Sequence, residues 1–288
     1  MDPESMVELK ARIAARLADQ AGAGAAEEAA QILAAALAAS PGDPSGPALA
    51  WAERRARGAP LGLVLGRKRF LGLDLMAGEE VLAPREETEL LAGQAVALLQ
   101  ADLRWVPGRE QRWIDMGCGC GNLACVLASA SPLARVWASD ISAACSALTQ
   151  RNVDQLGLGG QVRVSQGDLF APLAGLGLEG TVDGVVMNPP YIPSSSLERS
   201  HAGLLEYEPR AAFDGGPYGI SILARLLREA PPFLRPGGHL LFEFGLGQGR
   251  LVQGLVERNP CFDPPRLVED PAGEPRVAVL TLAAGSAP

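Results

Sequence analysis

From Val7 to about Leu37 the apolar residues Leu9, Ile13, Leu17, Ile32, Leu33 and Leu37 recur at helical spacing among Ala, Arg and Glu, which predicts two or three short helices. Turn formers from Ser40 to Pro47 interrupt the pattern, and Ala48 to Arg57 predicts one more helix before Gly58 and Pro60 stop it. A small helical domain over residues 6–60 follows, with the residues before Met6 set aside as an appended remnant. Between 61 and 84 the runs are short and punctuated by glycine, and the rough period of two from Arg69 to Leu75 predicts a β-hairpin linker. Helical spacing returns from Thr88 to Gln100. After Arg109 the chain alternates strand, glycine loop and helix. Strands are expected at Arg112–Met116, Arg135–Ser139, Gln161–Ser165, Val182–Met187, His239–Phe244 and Arg276–Leu282, and helices at Leu123–Ser129, Ala143–Leu156 and Gly219–Ala230. That rhythm predicts a larger α/β domain over residues 85–288, a parallel sheet with helices on both faces.

Composition narrows the function classes. The 288 residues are 48% hydrophobic and 20% charged, which is globular and excludes a largely disordered chain. Acidic residues outnumber basic ones 33 to 25, and the net charge of −8 provides no global positive field toward phosphate backbones or anionic lipid. Nucleic-acid and membrane partners are therefore disfavoured. The Ala-rich runs are broken by Glu27, Glu28, Gln31 and Ser40, so neither a signal peptide nor a membrane span fits, and a soluble, cytoplasmic setting is expected. Cys118, Cys120, Cys125, Cys145 and Cys261 are odd in number and lack a C-x-x-C pair, so neither a disulfide framework nor a metal site is expected.

Four segments carry candidate chemistry. Trp113-Ile114-Asp115-Met116 runs into Gly117-Cys118-Gly119-Cys120-Gly121, a strand entering a glycine loop that opens a helix. Such a loop brings backbone close to a ligand and offers free N–H donors. Its G-x-G-x-G spacing departs from the dinucleotide G-x-G-x-x-G, and Asp115 just ahead of it suits an ammonium. This favours a nucleoside–amino-acid ligand such as S-adenosylmethionine over a pyrophosphate; a plain tight turn is the other reading. Asp140, at the end of the next strand, fits two ribose hydroxyls or a helix cap. Asp168, one strand later, fits an adenine amino group or an ordinary turn. Asn188-Pro189-Pro190-Tyr191 follows an apolar strand. Its prolines remove N–H donors and leave acceptors, so the Asn188 side-chain oxygen and the Pro189 carbonyl can hold both hydrogens of a planar NH2 group while Tyr191 packs on it. His239 sits in an apolar strand and His201 in a polar loop, so neither is a favoured base.

Together the D-x-G-x-G-x-G loop, Asp140, Asp168 and the Asn-Pro-Pro-Tyr tetrad resemble class I S-adenosylmethionine-dependent methyltransferases that act on nitrogen. Pro60-Leu61-x-x-x-Leu65-Gly66, Phe70-x-Gly72-Leu73, Val81-Leu82-x-Pro84-Arg85-x-Glu87-Thr88-Glu89 and Tyr207-Glu208-Pro209-Arg210-x-Ala212-x-Asp214-Gly215-Gly216 narrow the resemblance to the HemK/PrmC family of protein-(glutamine-N5) methyltransferases, over roughly residues 60 to 282. The resemblance implies a Rossmann-like, mostly parallel sheet with an antiparallel last strand, and a helical N-terminal domain that recognises substrate. It implies methyl transfer to the glutamine of the Gly-Gly-Gln loop of class I peptide release factors by a monomeric enzyme, with S-adenosylhomocysteine as product. Asn188, Pro189, Pro190 and Tyr191 then frame the acceptor, and Asp115, Gly117, Gly119, Gly121, Asp140, Asp168 and Asn188 bind the cofactor.

Two departures stand out: Glu86 replaces a proline usual in the family, and Cys118 and Cys120 stand where Thr and Ser are more familiar. Three alternatives remain at this level: transfer to a small-molecule amine, amide or hydroxyl, adenine-N6 methylation of nucleic acid, and S-adenosylmethionine binding without catalysis.

Overall fold

The computed structural model describes residues 2–105, 108–200 and 202–284, and resolves into two compact units. The first comprises the residues up to Lys68 with Ala77–Glu79, and the second comprises Arg69–Met76 with everything from Glu80 onward.

The first unit contains α1 (Pro3–Ala21), α2 (Ala25–Ala39), α3 (Ser45–Ala56) and the one-turn α4 (Leu61–Leu65). Leu9, Ile13 and Leu17 of α1 share one face by their spacing of four, and they meet Ala29, Ile32, Ala36, Ala48 and Ala52 in the core. Alanines at these positions let the helices approach closely, and Arg55 clamps α3 to α2 through bonds of 2.8 and 3.0 Å to Glu28. The stretch before Met6, set aside from the sequence, belongs to α1: Asp2 caps it by accepting from Ser5 N at 2.9 Å, with Pro3 in the first turn.

The hairpin β1 (Arg67–Phe70) and β2 (Leu73–Met76) turns on Leu71 and Gly72, both at positive φ (43° and 82°), the twist that matches paired strands.

In the second unit the chain continues as α5 (Thr88–Trp105), β3 (Gln111–Met116), α6 (Asn122–Ala130), β4 (Ala134–Asp140), α7 (Ala143–Gln155), β5 (Val162–Gln166), β6 (Val182–Met187), α8 (Ser194–Ser200), α9 (Ala202–Leu205), α10 (Ser221–Glu229), β7 (Leu234–Glu243), α11 (Gly249–Val256), β8 (Arg266–Glu269) and β9 (Pro275–Thr281). Seven strands form one sheet in the order β5-β4-β3-β6-β7-β9-β8. The pairs from β5 to β7 are parallel, while β9 runs antiparallel to both β7 and β8, which makes the last strand the reversed one.

Every residue of β6 is buried, as expected of a parallel strand covered on both faces. Alternate residues divide between two cores. Ile114, Met116, Val185, Met187, Leu240 and Phe242 pack with α10 and α11, whereas Trp113, Val186 and Leu241 pack with α5 and α6.

The sheet has one more strand than the sequence pattern predicts. Short β8 lacks an apolar alternation of its own, and β7 begins five residues before His239, across Pro236, Gly237 and Gly238. No helix among the described residues is long and apolar enough to cross a membrane.

Candidate active site

Because the order reverses between β3 and β6, the strands leave a crevice at their C-terminal ends, where open α/β sheets hold ligands. Gly117, Asp140, Asp168 and Asn188 all lie just beyond the ends of β3, β4, β5 and β6 or at them, and all four line one cavity of about 430 Å³ with Gly119 and Pro190. That size falls within the range of about 300–1,000 Å³ for small-molecule sites. A second cavity of about 550 Å³ is lined by Pro189, Tyr191, Phe213 and Leu246. Asn188, Leu82, Arg85 and Ala212 belong to both walls, so Asn188 stands where the two cavities adjoin.

The glycine loop owes its path to backbone that disfavours other residues: Gly117, Gly119 and Gly121 have φ of 66°, 57° and 80°. Gly121 is required by packing as well, since a Cβ there would lie 2.7 Å from Thr149 Cγ2, and it caps α6 without lining the first cavity. Asp140, 9% exposed, holds the loop from the β4 side. Its Oδ2 accepts from Gly119 N at 2.9 Å and its Oδ1 from Ser142 N at 2.8 Å, leaving lone pairs toward the cavity.

Asp115 is placed behind the loop, fully buried and off the cavity wall. Its Oδ2 accepts from Ala124 N at 2.9 Å, while its Oδ1 is buried without a partner among the described residues. Burial pushes its carboxyl up to about 7, against the bond from Ala124, with Asp140 adding a like charge. Asp168 is half exposed and accepts from the two terminal guanidinium nitrogens of Arg225, Nη1 and Nη2, at 3.0 and 3.1 Å. Next to it Leu169 is held at φ 44°, a strained conformation on the cavity wall.

Cys118, Cys120 and Cys145 also line the cavity. Burial raises all three thiols, Cys120 to about 12 and Cys145 to about 11, so they remain protonated near neutral pH and serve as small packing groups. His239 is lowered by burial and its Nδ1 lies 3.3 Å from Thr281 Oγ1, away from the cavities; His201 lies outside the described residues. Among the described residues no cluster of acids, Cys and His has the makeup of a metal site. Glu86 is exposed and on neither cavity wall.

Beneath the Asn-Pro-Pro-Tyr loop lies a network that the sequence pattern did not single out. The Asn188 amide Nδ2 donates to Thr88 Oγ1 at 2.9 Å, and Thr88 Oγ1 donates to Glu243 Oε2 at 2.8 Å. Tyr191 Oη donates to Glu243 Oε1 at 3.2 Å, and Gln248 Nε2 donates to the Tyr191 carbonyl at 2.8 Å. Glu243 is 1% exposed. Burial raises its carboxyl, opposed by the bond from Thr88 and the Arg276 guanidinium, and burial beside Glu243 raises the Tyr191 phenol. Fully buried Glu208 accepts from Ala83 N at 3.0 Å and pairs with Arg85, tying the segment after β2 to the loop before α10. In the sequence Thr88 was legible as a helix start and as part of the segment carrying the family resemblance, with no role of its own, and Glu243 only as a residue of an apolar strand.

The residues fit S-adenosylmethionine. The glycine loop gives a close backbone cradle, Asp140 keeps acceptor capacity for hydroxyls, and the largely apolar first cavity reaches from Asp168 to Asn188. The buried, unpartnered Asp115 oxygen adds negative potential behind the loop. A family model, the methyltransferase small domain, matches residues 93–202. The release factor glutamine methyltransferase of Moorella thermoacetica is 39% identical over 224 residues, 78% of this chain and 75% of that protein. Its counterpart from Geobacter sulfurreducens is 38% identical over 227 residues, 78% of this chain and 74% of that protein. Among solved structures, the T. thermophilus 16S rRNA N2 G1207 methyltransferase in complex with AdoMet and guanosine shares the fold. Its TM-score is 0.50 and its identity 20%, over 76% of this chain and 49% of that one. From these relatives the chain is an S-adenosylmethionine-dependent methyltransferase and belongs to the release factor glutamine methyltransferase family.

Proposed function

We propose that the protein methylates the side-chain amide nitrogen of the glutamine in the Gly-Gly-Gln loop of a class I peptide release factor. The observation that carries this is the position of Asn188, shared by a cavity floored by the glycine loop and a cavity opening past Tyr191. S-adenosylmethionine supplies an electrophilic methyl group on its sulfonium. In this reading Asn188 Oδ1 and the Pro189 carbonyl accept the two hydrogens of the glutamine NH2, and Tyr191 packs on the amide plane. The amide nitrogen is a weak nucleophile because its lone pair is delocalised, so fixing its direction is the main contribution open to the chain. The nitrogen gains the methyl group and gives up one proton to solvent, leaving N5-methylglutamine and S-adenosylhomocysteine. Asp140 serves the ribose hydroxyls, Gly117 and Gly119 the amino-acid end, Asp115 the ammonium from behind the loop, and Asp168, shared with Arg225, the adenine edge. Gly121 contributes by holding the loop's shape. The enzyme works as a cytoplasmic monomer, and its helical N-terminal unit recognises the protein acceptor.

The test is transfer of labelled methyl to purified release factor carrying either Gly-Gly-Gln or Gly-Gly-Asn. Label on the first alone is expected. Absence of label on both, from protein that binds S-adenosylmethionine, would sink the release-factor reading and point to a small-molecule acceptor.

A further inference from the structure

Glu243 ends β7 in the core, with its two carboxylate oxygens each receiving one hydroxyl, from Thr88 and from Tyr191. The Arg276 guanidinium lies 3.6 Å from Oε1 and favours the ionised form. A carboxylate can only accept. A threonine hydroxyl has one hydrogen, so Thr88, having given it to Glu243, can offer Asn188 only a lone pair. The Asn188 amide must then turn its NH2 toward Thr88, the 2.9 Å contact observed, and its Oδ1 away from it. No described protein donor holds that Oδ1.

We infer that Glu243 and Thr88 are positioning residues for methyl transfer: through the chain Glu243–Thr88–Asn188 they dictate which edge of the Asn188 amide meets the acceptor. The inference rests on the proposed role of Asn188 as an acceptor of the substrate's N–H. The two ends of an asparagine amide are nearly equal in size, so shape alone does not choose between them. Were the amide reversed, an NH2 would face the substrate's NH2, donor against donor. Replacing Glu243 by glutamine introduces a donor where only an acceptor stood. If its NH2 points at Thr88, the hydroxyl hydrogen is released toward Asn188 and favours the reversed amide. If it points at Tyr191, the phenol loses its acceptor. Either outcome disturbs the Asn-Pro-Pro-Tyr loop without altering the cofactor cavity's glycine loop or Asp140.

The experiment compares Thr88→Val, Thr88→Ser and Glu243→Gln with wild type. It reads kcat and KM for release factor, S-adenosylmethionine affinity by calorimetry, and hydrogen exchange of the Asn188 side-chain amide by nitrogen-15 NMR, assigned by its loss in Asn188→Asp. Thr88→Val and Glu243→Gln are expected to lower kcat at least tenfold, with KM and cofactor affinity within twofold of wild type. Exchange of the Asn188 NH2 should accelerate at least tenfold in Thr88→Val, and Thr88→Ser, which keeps the hydroxyl, should restore most of the lost turnover and protection. Wild-type kcat in Thr88→Val, or unchanged amide exchange in it, would overturn the inference. The exchange comparison needs no acceptor. Failure of wild type to label release factor therefore strikes the substrate reading, while exchange still decides whether the chain of hydrogen bonds holds Asn188.

Discussion

Asp115, next to last in β3, and Asp140, last in neighbouring β4, have surroundings that give them opposite electrostatic characters. Asp140 shares both oxygens with backbone N–H groups at the cavity wall, whereas Asp115 keeps one oxygen buried and unpartnered. Folding therefore raises the Asp115 carboxyl from its ordinary 3.8 to about 7. Between those values the folded chain binds more protons at this site than the unfolded chain, so its contribution to stability falls as pH rises and the full cost is present above about 7. That cost is roughly a few kcal/mol at 1.36 kcal/mol per pH unit. In cofactor-free protein, Asp115→Asn should flatten the decline in thermal midpoint between about pH 4 and 7 and be the more stable form at pH 8. The same slope in wild type and variant would show that Asp115 stays charged in the fold. Burial of this kind is invisible in a one-dimensional pattern. The sequence shows Asp115 before a glycine loop, but nothing in that spacing distinguishes a ligand-facing oxygen from one sealed beneath α6. Asn188 and Tyr191 were legible because prolines after an apolar strand announce a fixed loop at the sheet's edge. Glu243 was not, because a carboxylate ending the run Leu240-Leu241-Phe242 looks like the polar end of a core strand.

At the scale of elements, the central pair β3 and β6 sets how tightly the crevice closes. Trp113 on β3 is registered with Gly184 on β6, and a Cβ at Gly184 would lie 2.3 Å from the indole ring. Gly184→Ala must push the ring or part the strands, and should cost about 1–3 kcal/mol as other overpacked cores do. Denaturant unfolding should move to a lower midpoint with an unchanged slope; an unchanged midpoint would mean that the ring has room to rotate away. The parallel strands were readable because Val185 to Met187 and Val136 to Ala138 are short apolar runs bounded by turn formers and polar residues. Elements without that contrast escaped. Arg266-Leu267-Val268-Glu269 has only two apolar residues, and β8 forms because β9 offers it a partner. Likewise α11 begins at a glycine and carries only Val252 and Val256 into the core, too few to mark a helix on the page.

Across the whole molecule, chemistry collects at one end of the sheet while the charge balance stays negative, at −8. Recognition of an acceptor therefore depends on shape and local contact more than on a global field. Leu246, 63% exposed although it lines the second cavity, is an apolar group left in water at the mouth through which an acceptor would pass. Leu246→Ser should raise KM for release factor several-fold and leave S-adenosylmethionine affinity unchanged, as measured by initial rates and calorimetry. An unaltered KM would place the docking contact elsewhere. The reversed strand β9 has a consequence in time as well as in space. It lies between β7 and β8 and brings Arg276 to Glu243, yet among the described strands it comes latest in the chain. As the chain leaves the ribosome, the parallel core from β3 to β7 can assemble while β7 still has a bare edge and Glu243 lacks its guanidinium neighbour. A nascent chain short of residue 281 thus carries the glycine loop while the network around Glu243 is unfinished, and that network is completed only when β9 pairs with β7.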